Sequence, residues 1–343
     1  MTVSLWLTVM LVAALMYVVL DGYDLGMGVA SLLEPNPVHR RRLLESVAVG
    51  WDGNETWLIL LGVGIWAGFP LAFGTVLPHL YLVLIIMLFA LIVRGVSVEM
   101  ASQRAPAAAW VRAFGVASLV ATFAQGFALG GLATDVAIRG DAWAGTALES
   151  FTWFSVLTGC AYTALCTALG YAYARFKTVG ELQVTAARRG LVAVVVAGVL
   201  VAVALAAMRG TAAPLNLSTP GREAAFIGLL LFAVSGLLTA ASTIRRTGGS
   251  GPVEWLPFAG LAVFTTATAL AVVVGRYPVL APPDLTLAKA VAPDRTMTFV
   301  AVGIGLNMPL VLFYNLFAHR AFRGKLDLEP RTADAPTVHG AST

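Results

Sequence analysis

The chain has 343 residues, 59% of them hydrophobic and only 12% charged, whereas a soluble domain carries about a quarter charged residues. A formal net charge of +4 and a mean hydropathy of +0.84 exclude an ordinary soluble domain and leave an all-α polytopic membrane protein. The pI of about 9.3 follows from basic loops lying near anionic lipid and calls for no nucleic-acid partner.

A hydrocarbon core roughly 30 Å thick takes about 20 mostly apolar residues per helix, and nine such segments are read in order. The first, 3–27, has no basic leading region and reaches "DGYD" rather than a small-residue cleavage site, so it reads as a retained span and not a signal peptide. Asp21 and Asp24 close it. The second, 54–73, opens on "GWDGNETW", with Asp52 and Glu55, and its hydropathy is diluted by glycines and by Trp57 and Trp66. The third, 76–98, closes on "IVRGVSVEM", with Arg94 and Glu99. Spans at 111–133, 150–174, 190–208, 224–243 and 255–275 follow. Pro278, Pro282 and Pro283 then stiffen an extended external loop at 276–296 before the last span, 298–319.

Residues 1–325 read as one transmembrane domain, and 326–343 as a polar, disordered cytoplasmic tail. No short repeat is seen at residue level, and an internal duplication of four-helix units stays open. Small residues at helix-packing spacing, Gly22 with Gly26, Gly64 with Gly68 and Gly126 with Gly130, allow close helix approach. Cys160 and Cys166 share one apolar span without a CxxC and read as buried, inert thiols.

Basic residues set the orientation. With the N-terminus outside and the C-terminus inside, 16 of the 22 Lys and Arg are cytoplasmic, among them Arg40, Arg41, Arg42, Arg94, Arg104, Arg188, Arg189, Arg323 and Arg331. Six lie opposite: Arg139, Arg209, Arg222, Arg276, Lys289 and Arg295.

An ionised side chain near mid-bilayer costs about 2.5–3.5 kcal/mol on insertion scales, so polar groups in spans are informative. Asp21, Asp24, Asp52, Glu55, Arg94 and Glu99 fall at the cytoplasmic ends of three consecutive spans. Two readings are open. Asp52 and Glu55, three apart, match a helix capping box, and Asp21 or Asp24 can pair structurally with Arg94. Alternatively, carboxylates sharing one membrane level supply what a proton-uptake path needs, groups that bind and release protons.

His39, His79, His319 and His339 stand at no metal-ligand spacing, so no metal or heme site is expected in this chain. The tryptophans fall mostly near span ends, as an interfacial belt does, and Trp51 and Trp57, which flank the acidic turn, are open to a second reading, packing against a cofactor held by a partner. No phosphate loop, dinucleotide fingerprint, nucleophile elbow or zinc-protease motif is present.

The stretches "VLDGYDLGMG", "VGWDGNETWLILLG", "FALIVRGVSVE", "GRYPVLAPPDLT" and "FRGKL" resemble, in order, subunit II of the cytochrome bd-type quinol oxidases. The resemblance implies nine spans arranged as two four-helix units plus one peripheral helix. It implies a heterodimer with subunit I, which ligates two b hemes and one d heme, oxidises quinol and reduces dioxygen to water with protons taken from the cytoplasm. It also implies a bacterial or archaeal cell membrane, with lipid, quinone and small single-span accessory subunits as further partners. Matched to the family's motifs, Asp24 and Asp52 take positions associated with proton conduction, and Trp51 lies close to that path. Two other functions compete. A proton-coupled secondary transporter would favour broken helices and midplane polar groups in both halves, which the one-sided acids argue against. A purely structural subunit would use the acids only as caps and interhelical bonds.

Overall fold

In lipid the backbone must satisfy its own hydrogen bonds, and the apolar runs do so as helices. The computed structural model describes residues 2–103, 107–146, 148–246, 254–283, 285–321 and 324–325. In chain order the helices are α1 (Thr2–Leu33), α2 (Pro37–Glu45), α3 (Trp51–Gly68), α4 (Pro70–His79), α5 (Tyr81–Gln103), α6 (Ala107–Gly131), α7 (Trp153–Lys177), α8 (Gly180–Ala207), α9 (Pro220–Thr243), α10 (Leu256–Arg276), α11 (Leu287–Ala290) and α12 (Asp294–Ala321). Two short antiparallel hairpins lie in connections: β1 (Ile138–Arg139) with β2 (Ala142–Trp143), and β3 (Val279–Ala281) with β4 (Leu285–Thr286).

Among the described residues, eight helices are long and apolar enough to cross a membrane: α1, α5 to α10, and α12. The expected second span corresponds to α3, whose first turns carry Asp52, Asn54 and Glu55 and dilute its hydropathy. Its 18 residues give it a length of about 27 Å. It lies antiparallel beside α1, with Asn54 against Asp24 at one end and Gly64 and Gly68 under Met10 and Trp6 at the other.

Several boundaries differ from those expected. The chain bends at Phe69 (φ −135°, ψ 62°), Pro70 opens α4, and α5 starts only at Tyr81, so residues 76–79 belong to α4 and not to the third span. α1 continues six residues past 27, because "GVASLL" is apolar, and stops before Pro35 and Pro37. α8 starts at Gly180, not 190, since Leu182, Gln183, Ala186 and Ala187 form a buried face at helical spacing. The loop at 276–296 is built rather than merely extended, holding β3, β4 and α11. Val136 N–H donates to the Pro282 carbonyl at 3.0 Å, and Ala292 N–H to that of Gly68 at 2.9 Å. The tail at 326–343, with Arg331 and His339, and Arg104 and Arg323 lie outside the described residues.

α1 is central, packing on α3, α6 and α7. It meets α7 backbone to backbone: a Cβ on Gly26 would overlap the Cys166 carbonyl, and one on Gly170 would reach 2.5 Å from the Met27 nitrogen. α9 and α10 cross the same way, a Cβ on Gly236 falling 2.5 Å from the Gly260 carbonyl oxygen. Gly126 and Gly130 press on α7 as expected, whereas Gly22 makes only ordinary contact with Leu169 and Cys166. Cys166 is buried, but Cys160 is exposed, correcting the expectation for that thiol.

Candidate functional site

Residues three apart on a helix share a face, so α1 presents Asp21 and Asp24 together. α3 brings Asn54 and Glu55 to that face, and α5 brings Arg94. Arg94 Nη1 donates to Asp21 Oδ1 at 2.8 Å and to Glu55 Oε1 at 2.6 Å, while Nη2 stands 3.8 Å from Asp24 Oδ2. Asn54 Nδ2 donates to Asp24 Oδ2 at 2.7 Å and to the Tyr23 hydroxyl at 3.0 Å. Asp21, Asp24, Asn54 and Arg94 are all buried; the Glu55 side chain keeps 24% exposure. The Trp51 ring lies 5.6 Å from the Arg94 guanidinium carbon and adds a cation–π contact.

The cluster is deeper than the sequence suggests. α1 runs from residue 2 to 33, so Asp21 is only about 5 Å past its midpoint at 1.5 Å per residue. Arg94 is similarly three residues past the middle of the 81–101 span. The two aspartates therefore do not close the first span; about two more apolar turns follow them.

Asp52 and Glu55 form no capping box. The α3 N-cap is Gly50, without a side-chain cap, and Asp52 Oδ1 instead accepts from the adjacent Gly53 N–H at 2.8 Å. Glu55 turns to Arg94 instead, where both partners are ionised. Asp52 and Glu99 are exposed and stand outside the cluster, Glu99 accepting from the Gln103 side chain. Trp57, expected beside a partner's cofactor, is wholly buried in the same core as Trp6 and Leu25, so its ring reaches no surface. Trp51 remains half-buried.

The sequence reading missed Asn54 and Tyr23. Asn54 had a signal: with Trp57, Leu61, Gly64 and Gly68 it continues a 3-4-3-4 spacing, the small and aromatic face that packs on α1.

Asp21 Oδ2, Asp24 Oδ1, Asn54 Oδ1, Arg94 Nε and Arg94 Nη2 have no hydrogen-bond partner among the described residues. A buried network left open at so many atoms is one that water completes. One guanidinium faces three carboxylates, so the charge of the cluster depends on the protons it holds, reaching neutrality with two bound. Such an arrangement is chemically able to bind and release protons.

Among the described residues no group of three His, Cys, Asp or Glu is placed to hold a metal ion. The His79 ring is bonded through Nε2 to the Thr134 hydroxyl at 2.8 Å, with Glu149 3.9 Å from Nδ1, and His39 faces Glu34 at 3.7 Å.

A family model described as cytochrome bd terminal oxidase subunit II matches residues 2–322. The chain is 27% identical over 345 residues to the cytochrome bd ubiquinol oxidase subunit 2 of Bacillus subtilis, across 96% of this chain and 98% of that one. To the cytochrome bd-I ubiquinol oxidase subunit 2 of Escherichia coli it is 27% identical over 209 residues, 58% of this chain and 55% of the other. The solved structure of bd oxidase from Geobacillus thermodenitrificans shares the fold, with a TM-score of 0.72 at 15% identity over 94% of this chain and 98% of that chain.

Proposed function

This chain belongs to the cytochrome bd terminal oxidase subunit II family, and we propose that it brings cytoplasmic protons through the Arg94 cluster toward the site where its complex reduces dioxygen. The complex is a quinol oxidase of a respiratory chain, in which this multi-pass subunit scaffolds a partnering subunit I. In this reading α3 counts as a ninth span, the N-terminus is outside, the C-terminus is cytoplasmic, and the membrane is that of a bacterial or archaeal cell. Quinone, lipid and small single-span subunits are its other partners.

The 16 to 6 split of basic residues supports the orientation. So does the gathering of Arg175 and Arg189 where α1, α7 and α9 end: Arg189 donates to the Leu33 carbonyl at 2.7 Å, and Arg175 to that of Glu254 at 2.7 Å.

The observation that carries the proton role is one guanidinium held by carboxylates from two neighbouring helices, inside the membrane. Arginine stays charged, so Arg94 does not relay. It offsets negative charge and lets carboxylates bind and release protons at tolerable cost. Asp52, exposed at the start of α3, gathers protons; Glu55, half-buried, hands them inward; Asp21 and Asp24 receive them. Two b hemes and one d heme belong to subunit I in this reading, since His39 and His79 are committed elsewhere. When bound there, they supply the electron transfer and oxygen chemistry.

In purified complex with full heme content, Asp24→Asn should slow oxygen consumption about tenfold with assembly intact. An unchanged rate removes the proton role. If no heme b and d absorption travels with this chain on purification, the transporter reading replaces the oxidase one.

A further inference from the structure

Tyr23 sits between the two acids of α1 but projects to the other side. Its ring stacks on Tyr173 of α7, centroids 4.0 Å apart and planes 23° from parallel, and Phe258 of α10 meets both rings edge-on at 5.6 and 5.9 Å. The stack leaves the two phenol oxygens within reach of each other. The Tyr23 oxygen also accepts from Asn54 Nδ2, the nitrogen that holds Asp24. A line of polar atoms therefore crosses from α7 to the Arg94 cluster through packing that is otherwise apolar.

Packing alone does not require those hydroxyls. Two phenylalanines would fill nearly the same space, and a buried hydroxyl is costly unless bonded. One turn beyond Tyr173, the Lys177 ammonium lies 5.8 Å from the Tyr173 ring centre, and its Nζ approaches the Gly324 carbonyl at 3.5 Å. Lys325 pairs with Glu254 at 2.6 Å at the same end. This end is charged, with Lys177 and Tyr173 buried and the Lys325 side chain 36% exposed, and it is distinct from the entrance formed by Asp52 and Glu55.

We infer that Tyr173 and Tyr23 form a second proton connection to Asp24, opening where α7 ends beside Glu254 and Lys325. The inference rests on reading the Arg94 cluster as a proton site. Tyr173 accepts a proton on its oxygen from water at this end as its own hydroxyl proton passes to the Tyr23 oxygen. Tyr23 releases its proton to a water held against Asn54 Oδ1, and that water protonates Asp24. Each phenol gains one proton and loses one, so neither ends charged, and both hydroxyls rotate back before the next transfer. Asn54 is a positioning residue: its amide fixes the Tyr23 and Asp24 oxygens on one nitrogen.

Because the two routes run in parallel, the test closes one first. In the full heme-loaded complex, proton uptake after an oxygen pulse is followed with a pH-sensitive dye. Glu55→Gln closes the α3 side; adding Tyr173→Phe should slow uptake about tenfold further, whereas adding Phe258→Leu, which disturbs the stack but keeps both hydroxyls, should not. If Glu55→Gln with Tyr173→Phe keeps the Glu55→Gln rate, the connection is overturned. It is equally overturned if Phe258→Leu costs as much as Tyr173→Phe, for then packing and not the hydroxyl is responsible. Asp24→Asn is measured alongside: a full rate there removes the underlying reading of the cluster, while a slowed rate leaves it standing whatever the tyrosine variants do.

Discussion

Where α9 and α10 cross, Gly236 and Gly260 bring two backbones together with no charge between them. Where α1, α3 and α5 meet, Arg94 is bound by Asp21 and Glu55 and stands close to Asp24, and five polar atoms there lack a partner among the described residues. Both junctions join helices in the same bilayer. Small residues suffice to pack membrane helices, and a buried ion cluster is weak evidence of added stability, since desolvation offsets most of its attraction. The charged junction is thus better explained by what it does than by what it holds together.

Four substitutions sharpen that contrast. Arg94→Leu strands two buried carboxylates and the half-buried Glu55 and should cost about 3–5 kcal/mol, seen as loss of assembled complex on size-exclusion chromatography. Gly236→Leu forces side-chain atoms into the α9–α10 crossing and should cost about 1–3 kcal/mol. It lowers the inactivation temperature but leaves turnover per assembled complex unchanged. Asp24→Asn should do the opposite, keeping the inactivation temperature within a few degrees while turnover falls about tenfold, or about 1.4 kcal/mol of barrier. If Gly236→Leu slowed turnover and Asp24→Asn did not, the two junctions would have exchanged roles. Asp52→Asn has the smallest expected effect, less than about twofold in oxygen consumption, because an exposed carboxylate is readily replaced by water.

The helices were legible because apolar runs of span length have few alternatives. α3 was harder to place, since its polar first turns blur where a span begins. Membrane level is readable from sequence and azimuth is not. Asp52 and Glu99 share a level with Arg94, yet both point away from it, and only the packing of α1 on α3 reveals this. The Arg94–Asp21 pair was open to reading because opposite charges at one apolar level seek each other. The depth of Asp21 was misjudged because the polar "DGYD" looked like an end, although helix-forming residues continue to Leu33. Asn54 was hidden by three more conspicuous polar neighbours.

The composition of α3 also bears on how the protein is made. Glu55 and its partner Arg94 are 39 residues apart in the chain. At about 5–20 residues per second of synthesis, α3 leaves the ribosome some seconds before the arginine that neutralises it exists. Until α5 arrives, only α1 can offer polar company, through Asp24 and Tyr23 against Asn54. The polar first turns of α3 are therefore matched by α1 before α5 is made, and by Arg94 only afterwards.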